Sequence, residues 1–319
     1  MIAKSSPVDL TPTYLIKACL EVFSELVARL AKCSFTEGCF PDRFNRAQVT
    51  PLLKRDGLDK NILAKYRPIS NLNTISKIIE RLVLVRLRQH LVGSPSFNPS
   101  QSAYRRRHST ETALLRMTDF AHQTIDRGEA MMLIVLDISA AFDMVVHSTL
   151  LHRLSYSFGI DDAALRWIKS YLSERSQFVR IGTASSKPTV CDCGVPQGSV
   201  FGPILFTVYT SPVVKVADAY GVVQQQYADD TQLYIVMSKM SSANTIVQLQ
   251  NCVTTLHQWF AKNGLALNPD KSEAVLFSTS QRAKELSVIS TIDAAESAVA
   301  LSSKDKAPWR DAGWEPQYQ

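Results

Sequence analysis

The sequence predicts an α+β fold, and three observations predict it. Apolar residues recur at helical spacing in long stretches, among them Leu15 to Leu30, Ile75 to Leu91 and Ile246 to Phe260. Shorter β-rich runs such as Met131 to Leu136 and Leu233 to Val236 stand among them, bounded by turn-forming residues. With 319 residues, 45% hydrophobic and 8% aromatic, the chain can bury a full core as one large domain or two modest ones. No run approaches the roughly 18 uninterrupted apolar residues of a membrane span, and Met1 to Leu10 lacks a secretory apolar segment. The expectation is a soluble, intracellular protein of the nucleus or cytoplasm. Six cysteines with neither zinc spacing nor a secreted disulfide framework fit that compartment and read as reduced, mostly structural thiols.

Taken in order, Thr11 and Pro12 open a helix whose stripe runs Leu15, Ile16, Cys19, Leu20, Phe23, Leu26, Val27 and Leu30, expected on the outside of the core. Gln48 to Leu53 reads as a short strand. At Tyr66 to Ser70, Pro68 pushes the preceding residue towards extended backbone, so Arg67 projects from a rigid turn where a guanidinium can grip a phosphate by two parallel bonds. A helix follows from about Thr74 to Leu91, with Lys77, Arg81 and Arg88 off its stripe, and another begins at Ser109 with Glu111 in its first turn. Met131 to Leu136 is a continuous apolar run, expected as a buried central strand that ends at Asp137. Helices at His147 to Phe158 and Asp161 to Leu172 lead to strands at Gln177 to Ile181 and Thr189 to Cys193. Gly194 to Phe206, with glycines and prolines around Gln197 and Ser199, specifies a rigid turn that opens a helix and offers bare backbone to a ligand. Beyond the helix that Asn263 and Gly264 terminate, Leu265 to Phe277 reads as a hairpin turning at Asn268 to Asp270, with Lys271 just past the turn.

The stretch that organises these elements is Tyr227, Ala228, Asp229, Asp230, at the tip of a strand, turn, strand pattern. Aspartate is a good turn former, but adjacent carboxylates resist ionising together unless a cation sits between them, and a hard divalent ion with oxygen ligands is the common answer. With Asp137 the pair makes three carboxylates at strand ends, a set that could share two metal ions as phosphoryl-transfer sites do. Charge supports a polyanion partner. Between Asp42 and His108 fourteen Lys or Arg face four acids, so this segment carries +10 of a net +6 and the remainder is −4.

In order and approximate spacing, Arg67 to Ser70, Leu136 to Asp143, Gly194 to Phe206, Tyr227 to Asp230 and Gly264 to Phe277 resemble a reverse transcriptase, in detail that of non-LTR, LINE-type retrotransposons near the jockey and chicken-repeat groups. The resemblance covers about residues 10 to 295. It implies a right-hand polymerase: an N-terminal helical extension over 1–33, fingers over about 34–130, and a palm over about 131–280 built on an antiparallel sheet with packed helices. By the same resemblance Asp137, Asp229 and Asp230 bind two Mg²⁺ ions, with Mn²⁺ as a substitute, and Lys271 protonates the leaving pyrophosphate. Arg67 and, less closely, Lys77 match the grip on the dNTP triphosphate, Phe142 the ring that crowds a ribose 2′-hydroxyl, and Gln197 with Gly198 the turn lining the nascent base pair. RNA template, DNA primer and dNTPs are the implied partners, with no membrane and an open oligomeric state.

The chain also departs from that pattern. Similar elements usually have Asp where Val146 stands, Gly where Arg107 stands and Leu where Phe201 stands. Lys304 to Gln319 abandons the apolar strand expected to grip the primer, so residues 281–319 read as a divergent, out-of-frame or disordered tail. The expectation is a truncated element copy, with the thumb and the upstream endonuclease domain missing. Three readings compete: an RNA-directed DNA polymerase, a catalytically inactive nucleic-acid-binding relic of one, and an RNA-templated RNA polymerase, against which the bulk of Phe142 argues.

Overall fold

The structure, a computed structural model, describes residues 6–238, 242–286, 291–294 and 297–300. It is α+β, as the sequence predicts. Its contacts group the chain into two compact units that interleave along the sequence: residues 1–97 with 142–209, and residues 98–141 with 210–319. Elements are numbered along the whole chain.

In the first unit the expected opening helix is two helices, α1 (Thr13–Ala18) and α2 (Leu20–Glu37), because Cys19 leaves helical geometry between them. Ile16, Val27 and Ala31 turn inward while Leu15, Leu20 and Leu26 stay exposed, so only part of the apolar stripe is core. Strand β1 (Arg46–Leu53) pairs antiparallel with β2 (Tyr66–Asn71) and parallel with β4 (Ser176–Ile181). Two-residue strands β5 (Ala184–Ser185) and β6 (Thr189–Val190) complete that sheet, the second much shorter than expected. Arg67 lies within β2 rather than on a turn; β2 is an edge strand, which tolerates Pro68 because no ladder N–H is needed there. Helix α3 (Thr74–Gly93) starts at Asn73, whose side chain accepts from the Ile75 and Ser76 amides. Helices α5 (His147–Phe158), α6 (Asp162–Leu172) and α7 (Gly202–Thr210) follow. Phe40, Trp167, Tyr171 and Phe201 interlock as the core, Phe40 standing edge-on to Trp167 at 5.4 Å and to Tyr171 at 5.2 Å between ring centroids.

The second unit is built on a sheet ordered β7-β8-β3-β9, antiparallel throughout. Its centre is β3 (Ala130–Ser139), flanked by β8 (Asp230–Met237), with β7 (Val223–Tyr227) at one edge and β9 (Ala266–Phe277) at the other. One face carries Met131, Leu133, Tyr234 and Val275 against Met117 and Ala121 of α4 (Thr110–Asp126), with Phe120 edge-on to Tyr234. By strand alternation Met132, Ile134, Leu136 and Leu233 turn to the opposite face, and they too are buried. That is why β3 reads as an unbroken apolar run. Helix α9 (Ser242–Lys262) runs against β8, β9 and the short α8 (Val213–Ala219), burying Leu249, Val253, Leu256 and Phe260. Helix α10 (Ser280–Glu285) and the hairpin of β10 (Thr291–Ala294) with β11 (Ser297–Ala300) occupy part of the expected tail, whereas Lys304 to Gln319 lies outside the described residues.

Three corrections concern the site. Strand β3 continues through Asp137 to Ser139 instead of ending at the acid. Leu265 to Phe277 is not a hairpin: both ends of β9 pair antiparallel with β3, and the pairing jumps from Val135↔Glu273 to Asp137↔Asn268. Residues 269–272, just past Asn268, stand opposite Leu136 alone as a large bulge, a device that re-aims side chains beside a site. All six cysteines are free, as expected of reduced thiols, but Cys252 alone is buried, so most do not serve the core. No helix among the described residues is long and apolar enough to cross a membrane.

Two departures from the family pattern have a local cost that the structure exposes. Val146 is the residue that caps α5, where it offers no side-chain acceptor, and Arg107 holds the left-handed φ of 63° that glycine adopts freely. Val146→Asp is expected to stabilise the protein by about 1 kcal/mol and Arg107→Gly by about 0.5 kcal/mol after glycine's own entropy loss. Urea unfolding of both variants checks this, and an unchanged or lowered midpoint for Val146→Asp contradicts the capping argument.

Candidate active site

The acidic tip lies wholly within the second unit. Strands β7 and β8 join through a two-residue loop in which Ala228 takes a φ of 57° and Tyr227 faces Asp230. The β3–β8 register pairs Leu136 with Thr231, so one step further along sets Asp230 beside Asp137. The bulge in β9 brings Lys271 to the same place, its Nζ donating to Asp137 Oδ2 at 3.1 Å. Both partners keep contact with water, with side-chain exposures of 57% for Lys271 and 24% for Asp137, so the pair contributes little stability by itself.

Electrostatics link these residues. Desolvation, then repulsion from Asp229 and Asp137, pushes the Asp230 carboxyl up to about 6, with Lys271 pulling the other way. Asp230 occupies the water-accessible end of β8, so solvent screens part of this effect. Tyr104 stands nearby at a φ of 60°; burial first, then the charge of Asp229, pushes its hydroxyl up to about 12 and keeps it protonated.

Among the described residues no three His, Cys, Asp or Glu side chains are already arranged to hold a metal ion together, and Lys271 closes on Asp137 instead. The donor chemistry nevertheless suits a hard divalent cation: the acids offer only oxygen, and burial with the charges of Asp229 and Asp137 raises the Asp230 carboxyl as it would for an anion awaiting a positive charge.

The remaining sequence-predicted residues belong to the first unit. Gln197 anchors the Gly194 to Phe206 turn twice, its backbone oxygen accepting from the Ser70 amide at 2.8 Å and its Nε2 donating to Asp143 Oδ2 at 3.1 Å. Gly198, at a φ of 120°, lies so close to Ser70 that a Cβ there would fall 2.6 Å from the Ser70 oxygen. No larger residue fits. The turn is thus docked on the end of β2, the strand that carries Arg67 in an exposed position three residues earlier. Lys77 sits in the first turns of α3, and the Phe142 ring stacks on Phe206 with centroids 4.8 Å apart.

Two residues escaped the sequence reading. Glu80 is fully buried and accepts from the Val200 and Phe201 amides at 2.8 and 3.1 Å, which holds the start of α7 against α3. Its signal was an acid beside the inward-facing Ile79 and Val83. Gln101, also fully buried, bonds the backbone of Ala228 in the acidic loop.

The chain is similar to known proteins over most of its length. Residues 53–303 match the family described as "Reverse transcriptase (RNA-dependent DNA polymerase)", a match that stops just before the divergent Lys304. The probable RNA-directed DNA polymerase from transposon BS of Drosophila melanogaster is 32% identical over 238 residues, which is 73% of this chain and 26% of that protein. The RNA-directed DNA polymerase from mobile element jockey of the same species is 29% identical over 282 residues, 86% of this chain and 30% of its own length. The chain thus spans roughly a quarter to a third of these curated relatives. Among solved structures, telomerase from Candida albicans in complex with a fragment of telomeric RNA superposes with a TM-score of 0.54 at 14% identity, covering 91% of this chain and 49% of that one. Apo telomerase from Candida tropicalis, truncated from its C-terminal domain, gives 0.52 at 13% identity over 73% of this chain and 50% of that one. At these identities the likeness is one of fold.

The raised carboxyl of Asp230 makes stability depend on pH. Its folded value of about 6 lies above the ordinary 3.8, so its contribution is fully present below the ordinary value and is lost as pH rises through about 6. Without divalent ions, urea unfolding from about pH 4 to pH 7 is expected to show the parent losing on the order of 1 kcal/mol relative to Asp230→Asn, after screening. A gap that stays constant across that range contradicts the burial and crowding that raise this carboxyl.

Proposed function

The chain belongs to the reverse transcriptase family, and from that premise we propose that it is the fingers-and-palm portion of a non-LTR retrotransposon polymerase, transferring nucleotides from dNTPs to a DNA primer 3′-hydroxyl along an RNA template. The observation that carries the reading is the acid site: Asp137 and Asp230 on hydrogen-bonded strands, Asp229 in the adjoining loop, and Lys271 drawn onto Asp137 by the bulge. Asp137, Asp229 and Asp230 would hold divalent cations, Mg²⁺ or Mn²⁺, which when bound lower the pKa of a primer hydroxyl and neutralise the triphosphate.

The chain's own residues do the rest. Lys271 is the cation on hand to give a proton to the leaving pyrophosphate. Arg67 and Lys77 grip the triphosphate, the first by a guanidinium fork. Gln197 and Gly198 line the nascent base pair: the glycine's bare backbone allows close approach, and the glutamine is steadied by Asp143. Phe142, backed by Phe206, fills the space a ribose 2′-hydroxyl would need, so a deoxynucleotide is chosen by exclusion. The basic segment from Asp42 to His108 supplies phosphate contacts for template and primer. Six free thiols suit a reducing compartment, nucleus or cytoplasm.

Primer extension on an RNA template with dNTPs and Mg²⁺, parent beside Asp229→Asn, tests this. Extension by the parent and a loss of at least about a hundredfold in the variant is the expected result. Equal extension by both contradicts the site, and salt-sensitive template binding with no extension by the parent marks the chain as a binding relic. Phe142→Ala is expected to raise ribonucleotide use by about ten- to two-hundredfold relative to deoxynucleotides; an unchanged ratio removes Phe142 from that role.

A further inference from the structure

We infer that Gln101 is a positioning residue for the acidic loop, its carboxamide clamping the backbone of Ala228 and so fixing where Asp229 and Asp230 stand. This rests on the reading of those two acids as the cation-holding pair, and everything it uses lies within the second unit.

The clamp works at both ends of one residue. Gln101 Oε1 accepts from the Ala228 amide at 3.0 Å, while Nε2 of the same group donates to the Ala228 carbonyl at 3.1 Å. A carboxamide presents the same donor and acceptor pair as a peptide group, so Gln101 continues the ladder where the backbone of β7 turns away. The segment around it is seated by the same strand: Gln226 N donates to the Ser100 oxygen at 3.0 Å and Ser102 N to the Gln226 oxygen at 2.9 Å. Asn98 Nδ2 adds bonds to Gln224 Oε1 at 3.1 Å and Gln226 Oε1 at 2.8 Å. Gln101 itself has no exposed surface, and its Oε1 also accepts from the Ala103 amide at 2.9 Å. The carboxamide therefore has one orientation available.

Such a clamp has a purpose at this position. Ala228 holds a φ of 57°, which an alanine adopts only under constraint. The two residues that follow it carry carboxylates that repel each other. Left to itself, the loop would relax towards ordinary backbone angles and swing both acids; the two bonds from Gln101 oppose that relaxation. Residues that hold ligating groups from behind typically alter metal affinity or activity by about 10–100-fold when removed.

The test measures Mn²⁺ binding by calorimetry in the parent, Asp229→Asn, Gln101→Met and the double variant Gln101→Met with Ala228→Gly, scaled to the folded fraction from circular dichroism. Methionine keeps the length of the side chain and removes both bonds to Ala228 together with the one from the Ala103 amide. Gln101→Met is expected to weaken Mn²⁺ about 10–100-fold and to lower kcat by a similar factor, with KM for dNTP within about twofold. Glycine at 228 takes the left-handed φ without strain and is expected to recover part of that affinity. Mn²⁺ affinity in Gln101→Met within twofold of the parent, or loss without recovery in the double variant, overturns the inference. So does failure of both Gln101→Met variants to fold, since Gln101 would then determine the fold and not the loop. If Asp229→Asn binds Mn²⁺ as the parent does, or the parent binds none, the reading of the acids fails and the inference falls with it.

Discussion

Carboxylates that crowd one another are the constraint to which the second unit answers. Two unit charges about 4 Å apart near a protein surface repel with roughly 4 kcal/mol, a large fraction of the net stability of a domain. Asp229 and Asp230 are sequence neighbours and Asp137 stands on the next strand. Nothing in a flexible loop would hold them there. The sheet does, because β3 is buried on both faces and is paired along its length to β8 and β9. The cation of Lys271 answers that repulsion at Asp137, and the carboxyl of Asp230 is raised by burial first and by its acidic neighbours second.

The first unit solves a different problem, that of keeping a glycine-rich turn rigid. Its answer is polar groups buried beneath the turn. Glu80 takes the amides of Val200 and Phe201, and Ser76 and Tyr171 donate to the same carboxylate. A buried acid satisfied by four donors is costly to disturb, since removing any donor leaves a buried acceptor unmet. Phe201, at the position where the family resemblance implies leucine, extends the aromatic cluster of Trp167 and Tyr171, and the Tyr171 hydroxyl donates to this acid. The substitution follows the packing rather than the chemistry.

Much of this was legible because it rested on short-range rules. The run Met131 to Leu136 announced a central strand, Ser109 a helix start confirmed as a capping box, and Asp229 with Asp230 a site that ordinary turn chemistry does not need. What was missed depends on partners distant in sequence. Asn268 to Asp270 has the composition of a turn, but β3 continues past it and supplies pairing on both sides, so a bulge forms where a hairpin was expected. Gln101 and Glu80 look like surface residues until the backbone they bond, 127 and 120 residues away, is folded against them. Helix α8 is only seven residues long, too short for periodicity to register. The break at Cys19 leaves no mark in an apolar stripe that stays in phase across it.

The central claim is that Asp137, Asp229 and Asp230 form a single cation site, and anomalous diffraction from crystals grown with Mn²⁺ tests it most directly. The account predicts anomalous density against the carboxylates of these three residues, with the Lys271 ammonium displaced from Asp137. Density confined to other acids, or none at Mn²⁺ concentrations that saturate binding in solution, would contradict it.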